Sequence, residues 1–179
     1  MKENIRVLIS AEAIEKRVRE MAKELADKYK AINDNKSIVV VGILKGSVLF
    51  MAELVKNMDI SVELEFMVVS SYGNDTVSSG KLKIKKDLDS DIDGKHILVV
   101  EDIVDTGRTL KNLVEYFKGK NAASVTVCTL LDKPDRREFD VDVDYTGFKI
   151  PDEFVVGYGL DYAQKYRNLP YIGVLSFEE

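Results

Sequence analysis

The chain reads as an α/β protein: a mainly parallel, twisted sheet flanked by helices. Three observations predict this. Residues 38–43, 97–100 and 125–131 form largely apolar runs, the pattern of strands covered on both faces of a parallel sheet. Residues 38–43 and 97–100 are each followed by a short polar loop and then an amphipathic stretch, so strand, tight loop and helix occur twice, as right-handed crossovers require. The 179 residues suffice for one domain whose core needs neither disulfide nor structural metal.

Along the chain, Ser10 is placed to cap a helix whose Ile14, Val18, Met21 and Leu25 make one apolar stripe, with charge opposite. Residues 38–43 form a buried strand, Lys45-Gly46-Ser47 a turn, and a helix follows with Val48, Met51, Ala52 and Val55 inward. Residues 62–70 read as a third strand. In residues 74–80, Asn, Asp, Thr, Ser and Gly crowd together and predict a mobile loop. Residues 81–86 form a short strand with Leu82 and Ile84 on one face. The run 97–100 ends at Glu101 and Asp102, whose carboxylates would emerge at the carboxyl edge of the sheet, where open α/β sheets bind ligands. Leu110, Leu113, Val114 and Phe117 then recur at helical spacing. Residues 124–131 are the next core strand, and 154–156 and 171–175 the last two. Asp135, Asp140, Asp142 and Asp144, mixed with Arg136 and Arg137, read as a solvated connection, and His96, lacking a second ligand nearby, as structural.

Bulk properties exclude several functions. Acidic residues outnumber basic ones, 31 to 26, for a net charge of -5, which is no electrostatic footprint for nucleic acid. The single Cys128 lies in an apolar run and reads as a buried thiol, fitting a reducing cytoplasm. Residues 5–9 mix charge with apolar side chains and no run approaches bilayer length, so a membrane protein is not expected.

The chemistry concentrates in residues 97–110. After the acid pair, residues 105–109 form a loop that opens onto a helix N-terminus, where free N–H groups and the helix dipole favour an anion. Thr106 and Thr109 add hydroxyl donors, and Gly107 permits close approach, so the loop fits a phosphate monoester. Taken alone, Asp-Thr-Gly reads better as a helix cap, from Asp105 or Thr106, beside a solvated strand end. The whole stretch is far more specific.

This stretch resembles the signature of the type I phosphoribosyltransferases. Leu44-Lys45-Gly46-Ser47, Ser71-Tyr72-Gly73, Leu131-Asp132-Lys133-Pro134 and residues 147–162, with Tyr166-Arg167 beyond, narrow it to the 6-oxopurine, hypoxanthine-guanine branch. The resemblance implies one domain over residues 1–179, with a core at about 37–150, a small hood built from the N-terminal segment and residues 150–179, and a lid beginning at Ser71 and Tyr72. It implies transfer of the phosphoribosyl group from 5-phosphoribosyl-1-pyrophosphate to N9 of a 6-oxopurine, aided by Mg2+ on Glu101, Asp102 and Asp161. Asp105 would relay a proton at N7 of the purine. Asp105, Thr106, Gly107, Arg108 and Thr109 would hold the 5'-phosphate, with Arg108 adding at most positive charge. Lys45, Gly46 and Arg167 would face the pyrophosphate, with a cis peptide between Lys45 and Gly46 as an option. Lys133, Phe154, Val155 and Asp161 would meet the purine: Lys133 donates to O6 and Phe154 stacks.

Two rivals accompany this reading, a non-catalytic regulator that senses nucleotide on the same fold and a xanthine-preferring enzyme. The retention of Asp105, Lys133 and Asp161 speaks against the regulator. The expected partners are the ribosyl donor, a 6-oxopurine base and further copies of the chain in a homodimer or homotetramer. Neither nucleic acid nor membrane is expected.

Overall fold

The structure, a computed structural model, describes residues 2–70 and 82–178. Strand β1 (Lys2–Ile9) comes first. Ser10 then caps α1 (Ala11–Ile32), its Oγ accepting the Ala13 N–H at 3.2 Å. Ile14, Val18, Met21, Ala22, Leu25, Ala26 and Tyr29 form the buried face of α1. Each large aliphatic side chain hidden in this way contributes about 1.5–3 kcal/mol.

The central sheet holds β2 (Ile38–Leu44), β3 (Glu63–Ser70), β4 (Lys83–Lys86), β5 (His96–Val104), β6 (Ser124–Asp132) and β7 (Tyr145–Lys149) in the order β4-β3-β2-β5-β6-β7. All neighbours are parallel except the β3–β4 pair. Side-chain alternation explains the apolar runs. Val40, Leu98 and Val100 face one way, toward α1 and α2 (Val48–Lys56). Val39, Val41, Ile97 and Val99 face the other, toward Leu110, Leu113 and Phe117 of α3 (Arg108–Gly119). Cys128 is fully buried, and burial pushes its thiol well up in pKa. A second, antiparallel sheet joins β1, β9 (Ile172–Glu178) and β8 (Val155–Val156), with β9 in the middle. Among the described residues no helix is long and apolar enough to cross a membrane.

Two expectations need correction, and two strands were not expected at all. The strand at 97–100 runs on to Val104, with both acids inside it. Helix α2 buries Phe50, Met51 and Leu54, leaving Val48 and Ala52 exposed. Its residues are nearly all apolar, so the pattern has no single phase. At the helix start the buried Ser47 hydroxyl donates to the Ile43 carbonyl at 2.7 Å. Strand β7 shows little burial and so no apolar run. Gly147 lets it lie close to β6: a Cβ there would fall 2.4 Å from the Leu130 carbonyl oxygen. Strand β1 is largely exposed, and only its pairing with β9 makes it a strand.

Candidate active site

Strand order reverses between β2 and β5: β2 leads outward to β3, whereas β5 leads through α3 to β6 on the other side. Such a switch point opens a crevice at the carboxyl ends of the two strands. The pairing of β2 with β5 stops at Gly42 and Val100, while β5 continues against β6 through Glu101, Ile103 and Val104. Residues 101–104 are therefore bonded on one side and border the gap on the other. This is why a strand can carry two acids.

Glu101 is buried and Asp102 half-buried. Asp102 Oδ1 accepts the Ile103 N–H at 2.8 Å, and Glu101 Oε1 accepts the Asp102 N–H at 3.4 Å. Neither carboxylate is ion-paired with a basic side chain among the described residues. Burial, and then the charge of Asp102, push the Glu101 carboxyl well above its usual range. Burial also raises Asp102, with a hydrogen bond from Glu101, backbone N–H groups and the Arg167 charge acting against it. Two carboxylates that resist carrying a double negative charge suit a hard divalent cation, since Mg2+ takes one or two carboxylates and completes its shell with water and substrate oxygens. No group of three or more His, Cys, Asp or Glu side chains among the described residues could cage a metal unaided. A shared, substrate-completed site is the kind these donors fit.

Glycines bring the surrounding loops close. A Cβ on Gly46 would fall 1.5 Å from Asp102 Oδ2, and one on Gly159 (φ +104°) would fall 1.9 Å from the Gly46 carbonyl oxygen. The loop at 159 thus lies on the loop at 46, which lies on Asp102. The non-proline cis peptide is Leu44–Lys45, one bond earlier than expected, a position for which the sequence has no marker. Lys45 Nζ donates to Gln164 Oε1 at 3.1 Å. Arg167 binds Asp161 Oδ1 at 2.7 Å and donates to the Gly159 carbonyl at 2.7 Å.

At the head of α3 the N-cap is Gly107 (φ +85°), which has no side chain to cap the helix. Thr106, one residue earlier, takes part of a capping role, its Oγ1 accepting the Arg108 N–H at 3.4 Å. Lys45, Gly46, Asp161 and Arg167 on one side, and Asp105, Thr106, Gly107 and Thr109 on the other, enclose a cavity of about 420 Å³ floored by Glu101 and Asp102. Arg108 is not in its wall. Its guanidinium lies 4.8 Å from the centre of the Phe139 ring.

A second cavity of about 580 Å³ shares Asp102, Asp105 and Asp161 with the first and adds Lys133, Phe154 and Val155. Phe154 is 53% exposed and meets Tyr162 edge-on at 5.9 Å, so it stands as a wall and not in the core. The Lys133 N–H donates to the Val104 carbonyl at 2.9 Å, and its Nζ lies 3.6 Å from Asp152. Sequence reasoning missed two residues here. The sequence marks Arg136 only as part of a solvated connection and gives Asp152 no role, yet Arg136 Nε donates to Asp105 Oδ1 at 3.0 Å and its Nη1 lies 3.5 Å from Asp152. The one available signal was Pro134, which starts a 3-10 turn (Pro134–Arg136) that returns Arg136 toward the loop. His96 bonds Ser124 and Asp34 and is structural. Ser71, Tyr72 and residues 74–80, expected to form a lid, lie outside the described residues.

Comparison with known proteins agrees with this geometry. Residues 8–163 match the family model described as phosphoribosyl transferase domain. The chain is 53% identical over 177 residues to a hypoxanthine-guanine phosphoribosyltransferase of Bacillus subtilis, covering 98% of this chain and 96% of that one. It is 50% identical to a hypoxanthine phosphoribosyltransferase of Haemophilus influenzae, covering 99% of each. A crystal structure of a hypoxanthine phosphoribosyltransferase from Staphylococcus aureus superposes with a TM-score of 0.88 at 48% identity, covering 96% of this chain and 91% of that one.

Proposed function

Because the chain belongs to the phosphoribosyl transferase family and is a purine-salvage phosphoribosyltransferase, we propose that it moves the 5-phosphoribosyl group from 5-phosphoribosyl-1-pyrophosphate to N9 of hypoxanthine or guanine, giving IMP or GMP and pyrophosphate. The observation that carries this reading is the pair of cavities that share a wall of carboxylates: Asp105, with Asp102 and Asp161, borders both the phosphate-loop cavity and the cavity of Lys133 and Phe154.

The residues divide the work by position. The loop of Thr106, Gly107 and Thr109 receives the 5'-phosphate through backbone N–H groups and hydroxyls at the head of α3. Lys45 and Arg167 flank the far end of the same cavity and supply positive charge for the departing pyrophosphate. Glu101, Asp102 and, across the cavity, Asp161 are the oxygen donors that would hold Mg2+, which neutralises pyrophosphate charge as the anomeric bond breaks. Lys133 donates to O6 of the purine. Adenine carries an amino group there and would leave the ammonium unpaired. Phe154 offers its exposed ring for stacking, with the backbone of Val155 beside it. Asp105 holds the proton at N7 while N9 becomes bonded. We also propose that the chain works in the cytoplasm, where the free thiol of Cys128 stays reduced. Assembly into dimers or tetramers is supported by the adjacent exposed side chains of Val48 and Leu49, and sedimentation would test it.

The deciding experiment measures nucleotide formation with hypoxanthine, guanine, xanthine and adenine, with and without Mg2+, for wild type and Asp105→Asn. Metal-dependent turnover of hypoxanthine or guanine is expected, with kcat falling about 10²- to 10⁴-fold in the variant. Tight donor binding without turnover of any base would make the protein a sensor, and a preference for xanthine would change the substrate.

A further inference from the structure

Four side chains along the second cavity alternate in charge: Asp105, Arg136, Asp152 and Lys133, linked at 3.0, 3.5 and 3.6 Å. The two ends are groups to which the proposed reaction assigns work. The two middle members have none.

We propose that Arg136 is a positioning residue that orients Asp105 toward the purine. The guanidinium engages one carboxylate oxygen only. Nε donates to Oδ1, and among the described residues no hydrogen bond reaches Oδ2, which leaves that oxygen for the substrate. A general base held on one side by a third group is the arrangement that proton-transfer sites use to select one geometry. Asp105 is 44% exposed on its loop even with Arg136 against it, so burial alone does not fix its carboxylate.

Arg136 is itself fixed. Pro134 opens its 3-10 turn with a preset backbone angle, the Arg136 N–H donates to the Lys133 carbonyl at 3.1 Å, and Asp152 braces Nη1. The same segment holds the backbone beside Asp105, since the Glu138 and Phe139 N–H groups both donate to the Thr106 carbonyl at 3.0 Å. Residues 133–139 therefore support the loop from behind and aim its carboxylate, while Lys133 in the same segment meets the base. Arg136 lines the second cavity but not the one that holds the acid pair. Its effect belongs to the chemical step and not to donor binding.

This inference rests on the purine-salvage reading, and the test separates the two. Steady-state constants for donor and hypoxanthine are measured for wild type, Arg136→Gln, Arg136→Lys, Asp105→Asn and the double variant Arg136→Gln with Asp105→Asn. Misplacing a catalytic group by about 1 Å can cost about 100-fold, and partial exposure of this pair reduces that to about tenfold in kcat for Arg136→Gln. The donor KM should stay within about twofold, and Arg136→Lys, which keeps the charge but not the planar fork, should recover to within about threefold of wild type. In the Asp105→Asn background the Gln substitution should cost less than about twofold more, because groups acting as one unit are not additive. A tenfold loss persisting in that background, a loss carried by KM, or full activity of Arg136→Gln overturns the inference. Failure of the underlying reading looks different: wild type makes no nucleotide, or Asp105→Asn matches it. Arg136 is 47% exposed, so equal melting temperatures are expected for the Arg136 variants.

Discussion

Gly46→Ala adds one methyl group at the point where two loops and a strand converge. Its Cβ would lie 1.5 Å from Oδ2 and 2.5 Å from Cγ of Asp102. To regain ordinary contact the carboxylate must retreat by about 2 Å, which also breaks its 2.8 Å bond to the Ile103 N–H. The obstructing atoms are the end of a side chain and not backbone, so the fold can give way. An overpacking cost of about 1–3 kcal/mol lowers the melting temperature by roughly 2–12 °C for a domain of this size. The site has no such freedom. A displacement of this size moves a proposed metal ligand out of reach and should reduce kcat by at least about 100-fold. Thermal melting, together with turnover measured across a Mg2+ titration, separates the two effects. Wild-type kcat at wild-type Mg2+ concentrations would refute the argument that Gly46 is required by its contact with Asp102, and so would a variant too unstable to fold.

Two other perturbations probe the remaining walls. Phe154→Ala removes an exposed ring, so melting should hardly change, while the KM for the base rises about 5- to 100-fold from lost stacking; an unchanged KM would remove the ring from base recognition. Glu101→Gln tests the electrostatics of the acid pair. The Glu101 carboxyl is held well above 4.5 in the folded chain, so its stabilising contribution is full below the unfolded value and is lost as pH rises through the folded one. Metal-free wild type should therefore lose stability as pH climbs above about 5, and Glu101→Gln, which mimics the protonated form, should melt a few degrees higher at about pH 8. Parallel melting curves across that range would contradict the burial argument.

Much of this was legible in the sequence, and the misses share a cause. The apolar runs at 38–43 and 97–100 mark the central strands because both faces are covered, and that pattern survives without any tertiary knowledge. Glu101, Asp102 and the loop at 105–109 were legible because acids after such a run, followed by Gly and Thr before a helix, have few other uses. Strands β1 and β7 were not, since their pairing comes from partners far along the chain and leaves no hydrophobic signature. The roles of Arg136 and Asp152 were hidden for a similar reason. Charged residues in a polar connection look solvated until the fold returns that connection to the loop at 105.

The antiparallel sheet of the chain's ends has a consequence for synthesis. Residues 154–156 take their strand pairing from β9: Val155 pairs with Val174, and the Leu175 N–H donates to the Phe154 carbonyl at 2.9 Å. Strand β9 in turn leaves the ribosome after every other element described here, and β1, the first to emerge, must wait for it to find a partner. A nascent chain can thus assemble the phosphate loop and the acid pair, which belong to β5 and the head of α3, well before the wall around Phe154 exists. The phosphate loop and acid pair are ready first, and the parts of the crevice that come after them in the chain, Phe154 for the acceptor and Asp161 and Arg167 for the donor's pyrophosphate, are completed last.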